Sequence, residues 1–357
     1  MLTQRDPTRV IDLRVPANRD TLVADWRQLV VDVPEASYFQ TPDWALSWMN
    51  NFGADRPARI ACWYDGDRLL GLVALHRHSE RLHSRLPVVL SAWSLLGSGY
   101  SSADHLGVVA TDSVFPDVVA WLRRTFSSQT LLMSGLPESQ LHRYSALGEG
   151  AVIAETQCPR IALQPSPPIP PKFAKKLAYY LRRLNKEGVE FSWMGPGEID
   201  AVLLESLADL HEDRWEMKSG DRPPHLRNRL QFFADLVRLG DDDRGPRCIV
   251  AKVDRKIVGV LLGFVSNGTF AYFQTGWDPA FAPLSLGTVL VERAISESAQ
   301  RGLSTFDFLR GTDQYKYRFG AEDAVDRTLL FPHGAHGYLM KWKYTKGRSV
   351  ARRLERQ

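Results

Sequence analysis

Apolar residues follow two rhythms along this chain, and the changes of rhythm mark its elements. Spacing of three to four residues predicts helices over 26–31 and 42–51, the second with Thr41 as N-cap and Pro42 in its first turn. Apolar runs on either side of Asp65-Gly66-Asp67 predict a hairpin, 60–64 with 69–75. A helix over 113–126 and a short strand over 130–133 follow. In the second half the spacing predicts helices over 172–186, 198–217 and 225–239 and strands over 248–253, 256–266 and 269–276. A long helix over 286–301, a strand over 305–309 and a short helical piece near Tyr315 complete the set.

The two halves read alike. Arg68-Leu69-Leu70-Gly71-Leu72-Val73 resembles Lys256-Ile257-Val258-Gly259-Val260-Leu261, each following a tight polar turn. In each half a helix then leads to a strand opening on threonine, Thr130 or Thr305. Such agreement predicts two copies of one mixed α/β unit. Between them lies 164–171, QPSPPIPP, whose prolines exclude helix and central strand. The expected division is 1–163, a linker with a basic helix at 164–189, a second domain at 190–340, and a basic tail at 341–357.

Composition changes this picture little. A chain of 357 residues, 44% hydrophobic and 24% charged, is too apolar for a disordered protein and long enough for two cores. The net charge of +4 is modest, but it is concentrated. The segment 172–186 is basic without an acid, and 341–356 is basic with one glutamate. Cys62, Cys158 and Cys248 are scattered and form no CxxC pair, which fits a reducing compartment and argues against zinc. The polar start and the shortness of the longest apolar run, 257–265, predict neither a secretion signal nor a spanning helix. The expected location is the cytoplasm.

The order of motifs in the second half is specific. A strand ends in Phe273-Gln274-Thr275-Gly276, then come Asp278-Pro279-Ala280-Phe281, Leu286-Gly287 opening the long helix, and Phe306-Asp307-Phe308-Leu309-Arg310-Gly311. Tyr315-Lys316-Tyr317-Arg318-Phe319-Gly320 closes the series. It resembles the CelD-type branch of the GNAT acyltransferase superfamily, the branch linked to cellulose and exopolysaccharide biosynthesis. More distantly it resembles the FemX-type aminoacyl-tRNA-dependent transferases. Thr41-Pro42-x-Trp44, Ser102-Ala103-Asp104-His105 and His211-x-x-Arg214-Trp215 extend the likeness over most of the chain. The resemblance implies a mixed α/β fold of two tandem GNAT-like domains, the first degenerate. It implies an acyltransferase that moves an acyl group from acyl-CoA, acetyl-CoA first among donors, to an amine on a small molecule or saccharide. The amine would attack the thioester directly, with no covalent enzyme intermediate. The FemX likeness implies an alternative in which aminoacyl-tRNA is the donor and tRNA a partner. A third reading is a non-catalytic accessory protein of polysaccharide synthesis.

The resemblance also assigns residues. Gln274, Thr275 and Gly276 would flank the pantetheine arm. Ser285, Leu286, Gly287 and Thr288 would face the pyrophosphate, since a helix start presents unpaired amides and a positive dipole end. The usual Arg/Gln-x-x-Gly-x-Gly/Ala loop is missing: one glycine is present, and Pro283 removes a donor. Tyr315 would act as the acid and Lys316 as an electrostatic stabiliser; the plain alternative is a solvated basic turn. Asp307, an acid within a central strand, needs a partner. It either positions the amine or accepts its proton, or pairs structurally with Arg310 or Lys316. Asp104, Arg214, Trp215 and Arg310 are the substrate-binding candidates, with Trp215 as a core residue in the plain reading. His76-x-His78 and His333 with His336 offer too few ligands for a metal. The helix 172–186 places Ala174, Leu177, Leu181 and Leu184 on one stripe, which fits docking on a neighbouring surface; contact with RNA phosphates or an anionic membrane is the other use of its cations.

Overall fold

The computed structural model describes residues 5–13, 15, 17–83, 87–99, 103–219 and 226–354. Ser102 lies outside the described residues, as does the side chain of Trp215. The chain forms two compact units, Met1–Thr156 with Val325–Gln357, and Gln157–Ala324.

The first unit begins with β1 (Arg9–Asp12), α1 (Ala17–Asp32) and α2 (Pro42–Trp48). The Thr41 hydroxyl accepts from the Trp44 N–H at 3.3 Å, the expected N-cap. Next come β2 (Ala58–Asp65), β3 (Arg68–Arg81), β4 (Val89–Leu95), the two-residue β5 (Val109–Ala110), α3 (Phe115–Thr125) and β6 (Leu131–Pro137). Strands β1 to β4 are antiparallel neighbours, whereas β4 and β6 run parallel on either side of the α3 crossover. Strand β7 (Ala151–Ala162) passes from this unit into the next at Thr156.

The second unit holds α4 (Pro171–Lys186), β8 (Glu190–Met194), α5 (Ala201–Ser219), α6 (Leu230–Leu239), β9 (Gly245–Val253), β10 (Lys256–Ser266) and β11 (Thr269–Trp277). After these come α7 (Leu286–Gln300), β12 (Thr305–Asp307) and the single turn α8 (Gln314–Tyr317). Its first four strands are again antiparallel, and β11 and β12 are again parallel across a helix. The end of β7 pairs antiparallel with β12, Ala162 opposite Thr305. Finally β13 (Glu322–Phe331) leads into α9 (Gly334–Leu354), and from Val325 on the chain belongs to the first unit, where β13 pairs with β6.

The repeat shows in side-chain detail. A Cβ on Gly71 would meet Val114 Cγ1 at 3.1 Å and Val118 Cγ2 at 3.3 Å, at and inside the start of α3. A Cβ on Gly259 would meet Leu290 Cδ1 at 2.9 Å and Leu286 Cδ2 at 3.3 Å on α7. In both units the second hairpin strand carries a glycine so that two residues one turn apart on the crossover helix can rest on it.

Several elements depart from the sequence expectation. The expected helix at 26–31 is the latter part of α1. The strand expected over 305–309 ends at Asp307, because Leu309 takes a left-handed φ of 54°. Helix α4 buries Phe173, Leu177 and Leu184, while Ala174 is exposed. Phe173 thus replaces Ala174 in the apolar stripe, and the helix is part of the second unit's core, packed with Ile161, Leu163 and Leu286. Of the tail expected from 341, residues 341–354 continue α9, which begins at Gly334, and 355–357 lie outside the described residues.

Candidate functional site

In the second unit the parallel pair β11 and β12 is short. Thr269, Phe270 and Ala271 face Thr305, Phe306 and Asp307, and the pairing stops there. After Asp307 the chain follows β7: the Phe308 N–H donates to Pro159 O at 2.8 Å and the Gly311 N–H to Gln157 O at 3.0 Å. Strand β11 runs on to Trp277. It carries a bulge at Phe273, since Leu262 of β10 faces Gln274 while Gly263 faces Tyr272. The side of β11 toward β12 therefore has no partner strand from Tyr272 to Trp277 among the described residues, which leaves an edge along which an extended ligand arm would fit.

Hydroxyl groups collect at this parting. The Tyr272 hydroxyl lies beside those of Tyr315 and Thr275, each of which acts on it. The Thr275 hydroxyl also reaches Val260 O at 3.0 Å. Burial pushes the Tyr315 phenol far above its ordinary value, reinforced by Tyr272, and burial raises Tyr272 against the opposing charge of Arg214. Both phenols therefore keep their protons at neutral pH. Arg214 lies over the Trp277 ring, 5.8 Å from its centroid. One turn earlier on α5, His211 is pushed down to about 4 by burial and then by the Arg214 charge, so its imidazole is neutral. The Arg214 guanidinium and the Asp313 carboxylate act on the two phenols in opposite directions, so the protonated phenols are the donors this parting offers to an oxygen that gains negative charge.

Gly276 and Gly287 have packing roles. A Cβ on Gly276 would lie 2.5 Å from His211 N and 2.8 Å from Leu207 O, so this glycine lets the backbone of α5 close on β11. A Cβ on Gly287 would lie 2.5 Å from Trp277 Nε1, so the indole covers it. Gln274 and Thr288 are half-buried and Leu286 is in the core.

The start of α7 is arranged differently from a glycine-rich phosphate loop. Ser285 has a left-handed φ of 60°, and its carbonyl accepts from the N–H groups of Thr288 and Val289. The Ala280 N–H is taken by the Asp278 carboxylate, those of Phe281 and Ser285 by backbone carbonyls, and Pro279 and Pro283 have none. Most amides at this corner are spent internally. Cations from neighbouring elements gather instead. The Tyr180 phenol on α4 is held below its ordinary value by Lys176 and then by the Ser285 hydroxyl. Arg183 Nη1 donates to Pro283 O at 3.2 Å, and Arg318 lies over the Phe173 ring at 4.4 Å. Lys176, Arg183 and Arg318 thus stand around the α7 start; the basic helix was legible in sequence, its place beside Ser285 was not.

Lys316 is buried at 2% exposure. Its Nζ donates to the carbonyl oxygens of Phe308, Leu309, Arg310 and Gly311 at 3.1, 3.0, 2.8 and 3.0 Å. The ammonium therefore organises the loop that follows β12, where Leu309 and Gly311 both have positive φ. Asp307, 4% exposed, accepts the Leu309 N–H at 2.7 Å and stabilises the same turn. Arg310 has its side chain exposed.

Asp104 lies in the first unit, buried at 2%. Beside it, His105 has a φ of 50°; its N–H donates to Asp326 Oδ2 at 2.7 Å and its Nδ1 lies 2.9 Å from Asp326 Oδ1. This loop is tied to β13 of its own unit. Of the expected site residues, Tyr315, Thr275 and Arg214 come together around Tyr272. Tyr272 was missed; the alternation Phe270, Tyr272 was its one trace, and it reads equally as core. Cys62 and Cys248 are buried, with thiols pushed up to about 12, so neither is a nucleophile at neutral pH.

Residues 171–317 match the model of the acetyltransferase (GNAT) domain. No curated protein matches the chain. Among solved structures, FemX aligns with a TM-score of 0.63 at 12% identity, over 86% of this chain and 95% of that one. L-PGS from Bacillus licheniformis aligns with a TM-score of 0.53 at 11% identity, over 85% of this chain and 96% of that one. A conserved protein of unknown function from Bacteroides thetaiotaomicron aligns at 0.55 with 14% identity, over 90% of this chain and 100% of that one. At these identities the likeness is one of fold, and the fold is a mixed α/β arrangement of GNAT-like units, with the stretch that matches the acetyltransferase (GNAT) domain lying in the second.

Proposed function

We propose that the chain is an acyltransferase that moves an acyl group from a thioester donor, acyl-CoA, to an amine, with the reaction centred on β11 of the second unit. The observation that carries this reading is the open side of β11 beyond Ala271, with the Tyr272, Tyr315 and Thr275 hydroxyls at its root. The pantetheine arm would add to β11 as an extra strand. The neutral amine would attack the carbonyl directly as the C–S bond breaks; Tyr315 or Tyr272, both protonated, would donate to the departing thiolate and regain its proton from the nitrogen that the new amide bond leaves with one too many. Arg214 would hold negative charge near the carbonyl. Lys316 enters this reading as the group that shapes the loop after β12, in place of direct contact with the reacting ester. The test is release of free thiol from acetyl-CoA on addition of a panel of amines and amino sugars. Thiol release that depends on the amine and falls in Tyr315→Phe supports the reading; release from no acyl-CoA with any amine contradicts it.

A second reading is favoured by one observation, the internal use of the amides at the α7 start together with Lys176, Arg183 and Arg318 around it. Side-chain cations at that corner suit a phosphodiester chain as well as a pyrophosphate, and the donor would then be aminoacyl-tRNA. Amine-dependent loss of the aminoacyl group from charged tRNA, without thiol release from acyl-CoA, would select it.

A further inference from the structure

Helix α9 of the first unit has two unlike faces. One is anchored: Met340 is fully buried among Leu90, Leu132 and Leu330, and the Tyr344 hydroxyl donates to Glu80 Oε2 at 3.0 Å. Lys343 donates to Arg81 O at 2.8 Å and pairs with Glu80 Oε1 at 3.2 Å. A Cβ on Gly337 would lie 2.3 Å from Thr130 Oγ1, so the helix sits close on the sheet. The opposite face carries Tyr338 at 62%, Leu339 at 38% and Trp342 at 49% exposure. Lys346 Nζ lies 4.8 Å from the centroid of the Trp342 ring. Tyr338, Trp342 and Lys346 are four residues apart and form one stripe. The sequence over 341–356 is basic, with Glu355 as its single acid.

We propose that this outer face of α9 docks the protein on an anionic lipid bilayer, with Trp342, Tyr338 and Leu339 entering the headgroup boundary and Lys346 beside them meeting a lipid phosphate. Indole and phenol rings favour that boundary, because one part of each ring system is apolar and another bonds to water. Lysine and arginine set their aliphatic stems along the apolar layer and leave the charge outside. An amphipathic helix with aromatic and aliphatic residues beside Lys and Arg is the surface-lying type, and no helix among the described residues is long and apolar enough to cross a membrane. The exposed leucine favours lipid over RNA, which would use the rings for stacking and has no use for Leu339. The inference is independent of the reaction proposed above.

The experiment is co-sedimentation of the full chain with vesicles of pure phosphatidylcholine and of phosphatidylcholine carrying about a third phosphatidylglycerol, against a transfer RNA gel shift. Trp342→Ala and Lys346→Gln are the variants, since both side chains are exposed on the outer stripe and leave the Met340 anchor intact. The wild type is expected to sediment with anionic vesicles and not with neutral ones. Lys346→Gln should weaken binding by about fivefold, and Trp342→Ala by roughly tenfold. A far-ultraviolet spectrum unchanged from wild type keeps the comparison fair. Absence of vesicle binding, or binding that ignores both variants, overturns the proposal. So does RNA binding, or self-association, that is lost in Trp342→Ala while vesicles are not bound.

Discussion

The ammonium of Lys316 lies 2.8 Å from the carbonyl oxygen of Arg310, the shortest of four such contacts that gather the loop after β12 around one charge. A buried cation of this kind is compensated by the dipoles that surround it. Lys316→Met keeps the stem and removes every donor, leaving four carbonyls turned inward. The variant should lose about 3 kcal/mol or more of stability, read as a fall in urea midpoint. Activity should fall with it, because the loop position sets where Tyr315 stands. A variant as stable as wild type would show that the loop does not depend on the ammonium.

Tyr315 should behave in the opposite way. Tyr315→Phe removes one hydroxyl from the edge of the core and should cost about 1 kcal/mol of stability. If it or its partner Tyr272 protonates the leaving group, turnover should fall by roughly 100-fold or more. The double variant with Tyr272→Phe should lose less than the product of the single losses, since the two hydroxyls lie side by side and act on each other. Multiplicative losses would mean separate roles.

Gly276 tests the packing of α5. Alanine there places a Cβ 2.5 Å from a backbone nitrogen, which cannot rotate away. Gly276→Ala should be destabilised by about 1–3 kcal/mol. Gly259→Ala should lose less, because its closest neighbour is a leucine methyl. Equal thermal melting of Gly276→Ala and wild type would remove the helix contact from the account.

His76 in the first unit is 1% exposed, stacks on Trp48 at 4.6 Å, and has no hydrogen-bond partner on either ring nitrogen among the described residues. Burial, then the neighbouring His78 and Arg56, push it down from 6.5 to about 3. The unfolded chain takes up a proton below about pH 6.5 and the folded chain does not, so stability is full above that pH and falls as pH drops toward about 3. Between pH 7 and pH 5 the loss from this group should be about 2 kcal/mol. His76→Phe should flatten that part of the stability curve; an unchanged acid limb would show that His76 has another source of compensation.

Much of this was legible in the chain, and the failures have physical reasons. The hairpins about Gly66 and before Lys256, the crossover helices and the matched glycines Gly71 and Gly259 are local signals, and each appears where expected. Strands β7 and β13 were not, because Ala151–Ala162 contains Glu155, Pro159 and Arg160, and Glu322–Phe331 opens on two acids. Their burial comes from partners distant in sequence. Lys316 drew attention as a charge in a motif, but a sequence cannot tell a cation that faces a substrate from one that holds a loop. Nor does it show that Tyr180 on α4 meets Ser285 at the start of α7.

The central claim is that the second unit binds an acyl donor between β11 and the start of α7. Thermal melting with acetyl-CoA, longer acyl-CoA and aminoacyl-tRNA tests it most directly, in wild type and in the pair Lys176→Gln with Arg183→Gln. A donor at about 100 times its dissociation constant adds about 2.7 kcal/mol to the folded state, which is a rise of roughly 5 °C or more for a unit of this size. The account predicts such a rise with an acyl-CoA, or failing that with aminoacyl-tRNA, and its loss in the double variant. No rise with any of these donors, or a rise left intact when both cations are removed, would contradict it.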